Sequence, residues 1–155
     1  MPIRMRISGR ERLMRRLRLF IDDLDDELRD VKLEAMKEVA AKIASRAPED
    51  TGDYRDSIEA GFVRDNQQAM TPPGYRPSSD PDEVAIYGEF IWRFLEFGTA
   101  EHVNGGLFAG TIHPGSRPIP HVMPTWRANR NAAKKKVRKV VNRLVRNSNA
   151  GRRRR

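Results

Sequence analysis

The stretch "FIWRFLEFGT", residues 90–99, packs three phenylalanines, a tryptophan, an isoleucine and a leucine into ten positions, interrupted by Arg93 and Glu96. Written as a strand, it places Phe90, Trp92, Phe94 and Glu96 on one face and Ile91, Arg93, Leu95 and Phe97 on the other, so both faces mix charge with apolar bulk. Written as a helix, Phe90, Ile91, Phe94 and Leu95 make one apolar stripe with Phe97 at its edge. Glu89, Arg93 and Glu96 then gather opposite, with Glu89–Arg93 an i,i+4 pair and Arg93–Glu96 an i,i+3 pair. Gly98 stands where a helix takes a left-handed terminating residue. The expectation is a helix of about two turns, apolar side to the core and charged side outward.

Working outward from it, "EVAIYG" (residues 83–88) alternates as a strand, and so does "SIEAGFVRD" (residues 57–65), where Ile58, Ala60 and Phe62 share one face. The two are expected to pair antiparallel across "NQQAMTPPGYRPSSDPD", a proline-rich connection over residues 66–82. Connections of that length in a small domain are usually functional or mobile. Before the first strand, Asp50-Thr51-Gly52 has turn chemistry: a side-chain acceptor, then a residue free to take positive φ. Leu13, Leu17, Phe20, Ile21, Leu24, Leu28, Val31, Ala35, Val39 and Ile43 recur at three- and four-residue steps. They define a helix over residues 10–46, ended by Ala47-Pro48. Its length, roughly 50 Å, exceeds what one small sheet covers. Part of the stripe should therefore meet another chain, or the helix should bend or break near Asp22–Asp26.

Downstream, residues 100–119 form a second Gly/Pro-rich connection, in which Leu107, Phe108 and Ile112 suit a short hairpin or a lid. A last helix starts near Pro124. Trp126, Ala133, Val137, Val140, Val141 and Leu144 mark its narrow apolar face, and all its charges are positive. The expected organisation is a single domain over residues 1–146, with residues 147–155 as a basic, solvated tail.

The chain has 155 residues, enough for one compact domain. The net charge of +9 is unevenly distributed: residues 1–18 sum to +6, residues 19–126 to −10, and residues 127–155 to +13. An acidic body with two basic ends suits nucleic acid or an acidic protein face, including a second copy of the chain. There is no cysteine, hence no disulfide framework and no thiolate metal site. No stretch reaches the ~20 apolar residues of a membrane span, and none reads as a secretory signal, so synthesis in a cytoplasm is expected. His102, His113 and His121 lie eleven and eight residues apart, poor spacing for zinc, and are read as surface or turn residues. Ser57 and Thr51 lack an evident base. "NGGLFAG" matches neither a phosphate loop nor a dinucleotide fingerprint. Neither an enzyme nor a cofactor is expected.

Three fragments in order carry a resemblance: "APEDTGDYRDSI", "FIWRFLEFGT" and "PHVMPTW". Over about residues 30–146 the chain resembles the neck, or tail-completion, family of tailed double-stranded-DNA phages of the Hong Kong 97 type. The matching positions are Pro48, Asp50, Thr51, Gly52, Arg55, Ser57 and Ile58, then Glu96, Phe97, Gly98 and Thr99, then Pro120 and Pro124. Tyr54 departs from a usual leucine, His121 from phenylalanine and Met123 from arginine, and residues 100–118 are long. The resemblance implies an α+β subunit: a small antiparallel sheet packed against a long N-terminal helix, with a basic C-terminal helix.

It also implies a virion protein forming a homo-oligomeric ring, sixfold or twelvefold, at the head–tail junction. Its neighbours would be a head-side connector or portal adaptor and the tail terminator or tail tube. A tail-terminator ring is the near alternative. Arg93 and Glu96 are candidates to pair with the next subunit, against a weak surface pair within one chain. Lys134, Lys135, Lys136, Arg138, Lys139, Arg152, Arg153, Arg154 and Arg155 are candidates for docking on an acidic neighbour or for sequence-independent contact with channel DNA. A basic nucleic-acid-binding protein is the alternative of another class. The acidic body and the shortage of aromatics on the basic helix weigh against it.

Overall fold

A computed structural model describes residues 10–66 and 80–153. Helix α1 (Arg10–Ala44) is continuous through the aspartate-rich middle, so no break occurs at Asp22–Asp26. It runs down through Arg46 N→Ile43 O and Ala47 N→Ala44 O bonds just ahead of Pro48. A one-turn helix α2 (Asp53–Asp56) follows. It leads into β1 (Glu59–Phe62), which is shorter than expected because residues 63–66 coil into a helical turn instead of extending. Strand β2 (Val84–Tyr87) pairs antiparallel with β1, Ala60 opposite Ile86 and Gly61 opposite Ala85. Most of the connection between them, residues 67–79, lies outside the described residues.

Next come α3 (Trp92–Phe97), a hairpin of β3 (His102–Val103) and β4 (Ile112–His113), and α4 (Val122–Arg153). The second connection is thus a hairpin, the form that Leu107, Phe108 and Ile112 suggested. Helix α4 begins two residues before Pro124 and stays helical to Arg153, through the point where the domain was expected to end. The architecture is α+β, as the resemblance implied: a two-stranded antiparallel sheet against a long N-terminal helix, with a basic C-terminal helix.

The core is small and lies under the second half of α1. Ala35, Val39, Ala40 and Ile43 are buried there with Tyr54, Ala60 and Leu144. These α1 positions face both the β1–β2 sheet and α4. Small residues at 35 and 40 let the neighbouring backbones approach closely. The two long helices run antiparallel, since partners rise along α1 as they fall along α4. Arg46 donates to Thr125 (3.3 Å) and Lys42 to Asn129 (2.7 Å), while Glu38 pairs with Lys136 and Glu27 with Arg143. Part of the basic charge of α4 therefore meets the acidic charge of α1 within one chain. Towards the start of α1, Met14 and Ile21 are exposed.

Candidate functional site

Helix α3 faces the opposite way from the helical-wheel expectation. Glu96, assigned to the outer side, is only 3% exposed, whereas Phe90, Ile91, Phe94 and Phe97, assigned to the core or its edge, are exposed. The reason is the start of α4. The first N–H groups of a helix have no partner inside it. Residues 120–122, Pro-His-Val, offer none of the short side chains that usually accept from them. Glu96 supplies the acceptor from α3. Its Oε2 accepts from the His121 and Val122 backbone N–H groups, each at 2.8 Å, and Oε1 accepts from Met123 N–H at 2.9 Å. Pro124, next in line, has no N–H to satisfy. One carboxylate thus closes the first turn of α4, where the helix dipole also favours negative charge. Burial disfavours the ionised form of Glu96, but three backbone donors outweigh it and hold the carboxyl below its ordinary range.

His121 is a correction of the same kind. Read as a surface or turn residue, it is 2% exposed. Its Nδ1 lies 2.7 Å from the Ile119 carbonyl, which can only accept, so Nδ1 carries the proton and donates. Nε2 then accepts from the Tyr54 hydroxyl at 2.6 Å. The Tyr54 ring meets the imidazole edge-on, with centroids 5.5 Å apart. Burial, then the Glu96 charge, pushes the Tyr54 phenol up to about 12. Glu96, His121 and Tyr54 therefore form one buried polar cluster, with one member from each of the three fragments. His102 and His113 sit elsewhere, cross-strand partners with rings stacked 5.0 Å apart on the hairpin. Among the described residues no group of acids and histidines is arranged to hold a metal ion.

The other motif residues shape the local backbone. Gly52 has φ +96 at the start of α2, the positive value expected of it. Thr51 Oγ1 bonds Asp53 at 2.7 Å, and Arg55 pairs with Glu49 at 2.7 Å and Asp56 at 3.1 Å. Ser57 Oγ donates to the Tyr54 carbonyl and accepts from Glu89 N–H, tying α2 to the end of β2. Gly98 has φ +70 with ψ −178, positive as expected but extended rather than left-handed helical. A β-carbon there would lie 2.5 Å from the Ser116 carbonyl oxygen. Thr99 and Ser116 exchange backbone bonds at 3.1 Å, closing the base of the hairpin.

Two faces stay open. Along α4, Lys134, Lys135, Arg138 and Lys139 are exposed. The backbone places Arg152 and Arg153 at the helix end; Arg154 and Arg155 lie outside the described residues. Exposed apolar residues also gather in the sequence from α3 through the hairpin. Nine of the thirteen exposed large apolar residues among those described fall between residues 90 and 119. Leu107, at the hairpin tip, is 99% exposed. Arg93 lies over the Phe90 ring at 6.0 Å, not against Glu96, and Glu89 precedes α3, so the anticipated helical ion pairs do not form.

These features define a small α+β subunit, stapled internally by a buried carboxylate and presenting a charged helix face and an apolar arm. The profile of a family described as "Bacteriophage HK97-gp10, putative tail-component" matches residues 11–98, more than half of the chain, and the chain belongs to this HK97-gp10-like family of phage tail components. No curated protein and no solved structure matches it significantly. The family match ends at Gly98, so the hairpin and α4 lie beyond the matched residues.

Proposed function

We propose that this chain is the subunit of a homo-oligomeric ring, sixfold or twelvefold, at the phage head–tail junction. There it acts by assembly around the DNA channel and joins filled heads to tails, between a head-side connector and the tail terminator or tube. The observation that carries the reading is the exposed apolar surface of residues 90–119 in a phage tail component. Monomeric proteins rarely leave that much apolar surface in water. The protein works as a virion component, not by turnover. Arg93, half-exposed on α3, remains a candidate subunit contact. Glu96 is occupied within its own chain.

The basic face of α4 supports a second contact, with the acidic face of a neighbouring subunit or with the phosphates of DNA passing through the ring. Lys134, Lys135, Arg138 and Lys139 are exposed along one helix, and phosphate contacts of this kind carry no sequence readout. Electron microscopy of lysates from a phage with an early stop codon in this gene tests the proposal. Filled or leaking heads beside separate tails are expected. Abnormally long tails would move the protein to the tail-terminator position. Normally joined particles would overturn the connector reading.

A further inference from the structure

The arm carries no formal charge between Glu101 and Arg117, in a chain that is 33% charged. Among the described residues its strands pair only with each other: His102 faces His113, and Val103 faces Ile112. Neighbouring strand residues point to opposite faces. The stacked histidines therefore take one face, and Val103 with Ile112 the other. Leu107 and Phe108 cap the end, held out by the Thr99–Ser116 bridge. Four of the nine exposed apolar residues of α3 and the arm are phenylalanines, side chains that carry about 150–250 Å² each when fully buried.

The same chain carries a matching receptor. A groove of about 530 Å³ opens between α1, β2 and α4; half of its lining is apolar, with Ala35, Met36, Val84, Trp126, Ala133 and Val137 among it, and the other half is charged. This volume is that of a pocket able to enclose a small cluster of apolar groups. Lys32 and Asp80, 2.5 Å apart, form an ion pair on its rim. The near-complete exposure of Leu107 shows that a chain's own arm does not fill its own groove.

We infer that the hairpin tip, Leu107 and Phe108, inserts into the α1–β2–α4 groove of a second copy of this chain. Knob and groove are unlike surfaces, so the contact is head-to-tail. Repeated with a closing rotation, it generates a ring. Charge supports a second copy as the occupant: α1 exposes Asp25, Asp26 and Asp30, α4 exposes Lys135 and Lys139, and Lys134 and Arg138 line the groove itself. Adjacent copies can therefore set acid against base. The inference rests on the ring reading and names the contact that closes it.

The chain has no cysteine, so introduced thiols are the only ones present. Phage carrying Leu107→Cys together with Ala133→Cys are purified and oxidised, and the full-length protein is followed by non-reducing electrophoresis. A ladder of linked multimers is expected from the pair, and none from either substitution alone. Dimers from Leu107→Cys alone would set tip against tip and overturn the inference. A linked monomer from the pair would put the arm in its own groove and overturn it as well. Virions that contain the protein, with heads joined to tails, but show no 107–133 link would sink the knob and leave the ring reading standing. Absence of the protein from virions would sink both. As a second variant, Leu107→Asp/Phe108→Asp should lower plaque titre at least roughly tenfold, the scale of losing apolar anchors. The purified variant should keep the parent's melting curve. An unchanged titre would overturn the inference.

Discussion

Residues 96 and 107 invert the usual distribution of polarity. Glu96 is charged and buried; Leu107 is apolar and almost wholly exposed. They lie eleven residues apart, on either side of Gly98 and the base of the hairpin. Glu96 is buried because α4 begins with three donors that nothing nearby in sequence satisfies. Leu107 is exposed because it stands at the tip of the hairpin, away from the core of the described residues. The buried site ties together elements of one chain, and the exposed one is left for the partner proposed above.

Truncating the buried site should have the largest effect. Glu96→Ala leaves three first-turn N–H groups without acceptors and should cost about 3–5 kcal/mol, measured by chemical denaturation of the purified protein. A loss under ~1 kcal/mol would mean that water replaces the carboxylate and that the cluster is not a staple. The pH dependence has a definite sign. The folded-state pKa of Glu96 lies below its ordinary 4.5. Its contribution is therefore fully present above that pH and falls as the pH drops below 4.5 through the folded value. The Tyr54 phenol, raised from 10.0 to about 12, works in the other direction: its contribution is present below pH 10 and is lost between about 10 and 12.

A smaller effect is expected at the Tyr54–His121 bond. Tyr54→Phe leaves the buried Nε2 of His121 without its donor and should cost about 1–2 kcal/mol. Tyr54 and His121 touch each other at 2.6 Å. Replacing them together, Tyr54→Leu with His121→Phe, exchanges a polar pair for an apolar one. The double variant should be more stable than the sum of its single variants by about 1 kcal/mol or more. Additive losses would show that the two positions are not coupled. At the exposed end of the comparison, Leu107→Ser should change the stability of the isolated chain by no more than about 0.5 kcal/mol. A loss of 2 kcal/mol or more would show that the tip packs against its own body after all.

Much of the fold was legible because its signals are local or periodic. The continuous helix α1 with its buried Ala35, Val39 and Ile43, its stop ahead of Pro48, the positive φ at Gly52 and the pairing of β1 and β2 depend on residues near one another in the chain. The faces of α3 were not legible. Over six residues, a wheel that groups Phe90, Ile91, Phe94 and Leu95 is consistent with either orientation, and apolar content favours the wrong one. A signal existed at the other end. Helix α4 opens on Pro-His-Val with a proline two residues later, so its first turn has no local cap and needs an acceptor from elsewhere. A glutamate inside an aromatic run is a strong candidate for that acceptor. His121 was misjudged for the same reason, since its burial depends on Tyr54, 67 residues away.

By itself, the sequence determined the long amphipathic helix, the paired strands, the basic final helix and the motifs that mark the phage tail-component family. All of these follow from periodicity, turn chemistry or residue type. Only the tertiary structure decided that Glu96 points inward and that α1 and α4 run antiparallel with part of their charge paired within the chain. It also decided that the apolar surface of residues 90–119 points outward. Each of these depends on unsatisfied backbone donors, helix direction or a missing packing partner, and the groups involved are brought together from distant parts of the chain.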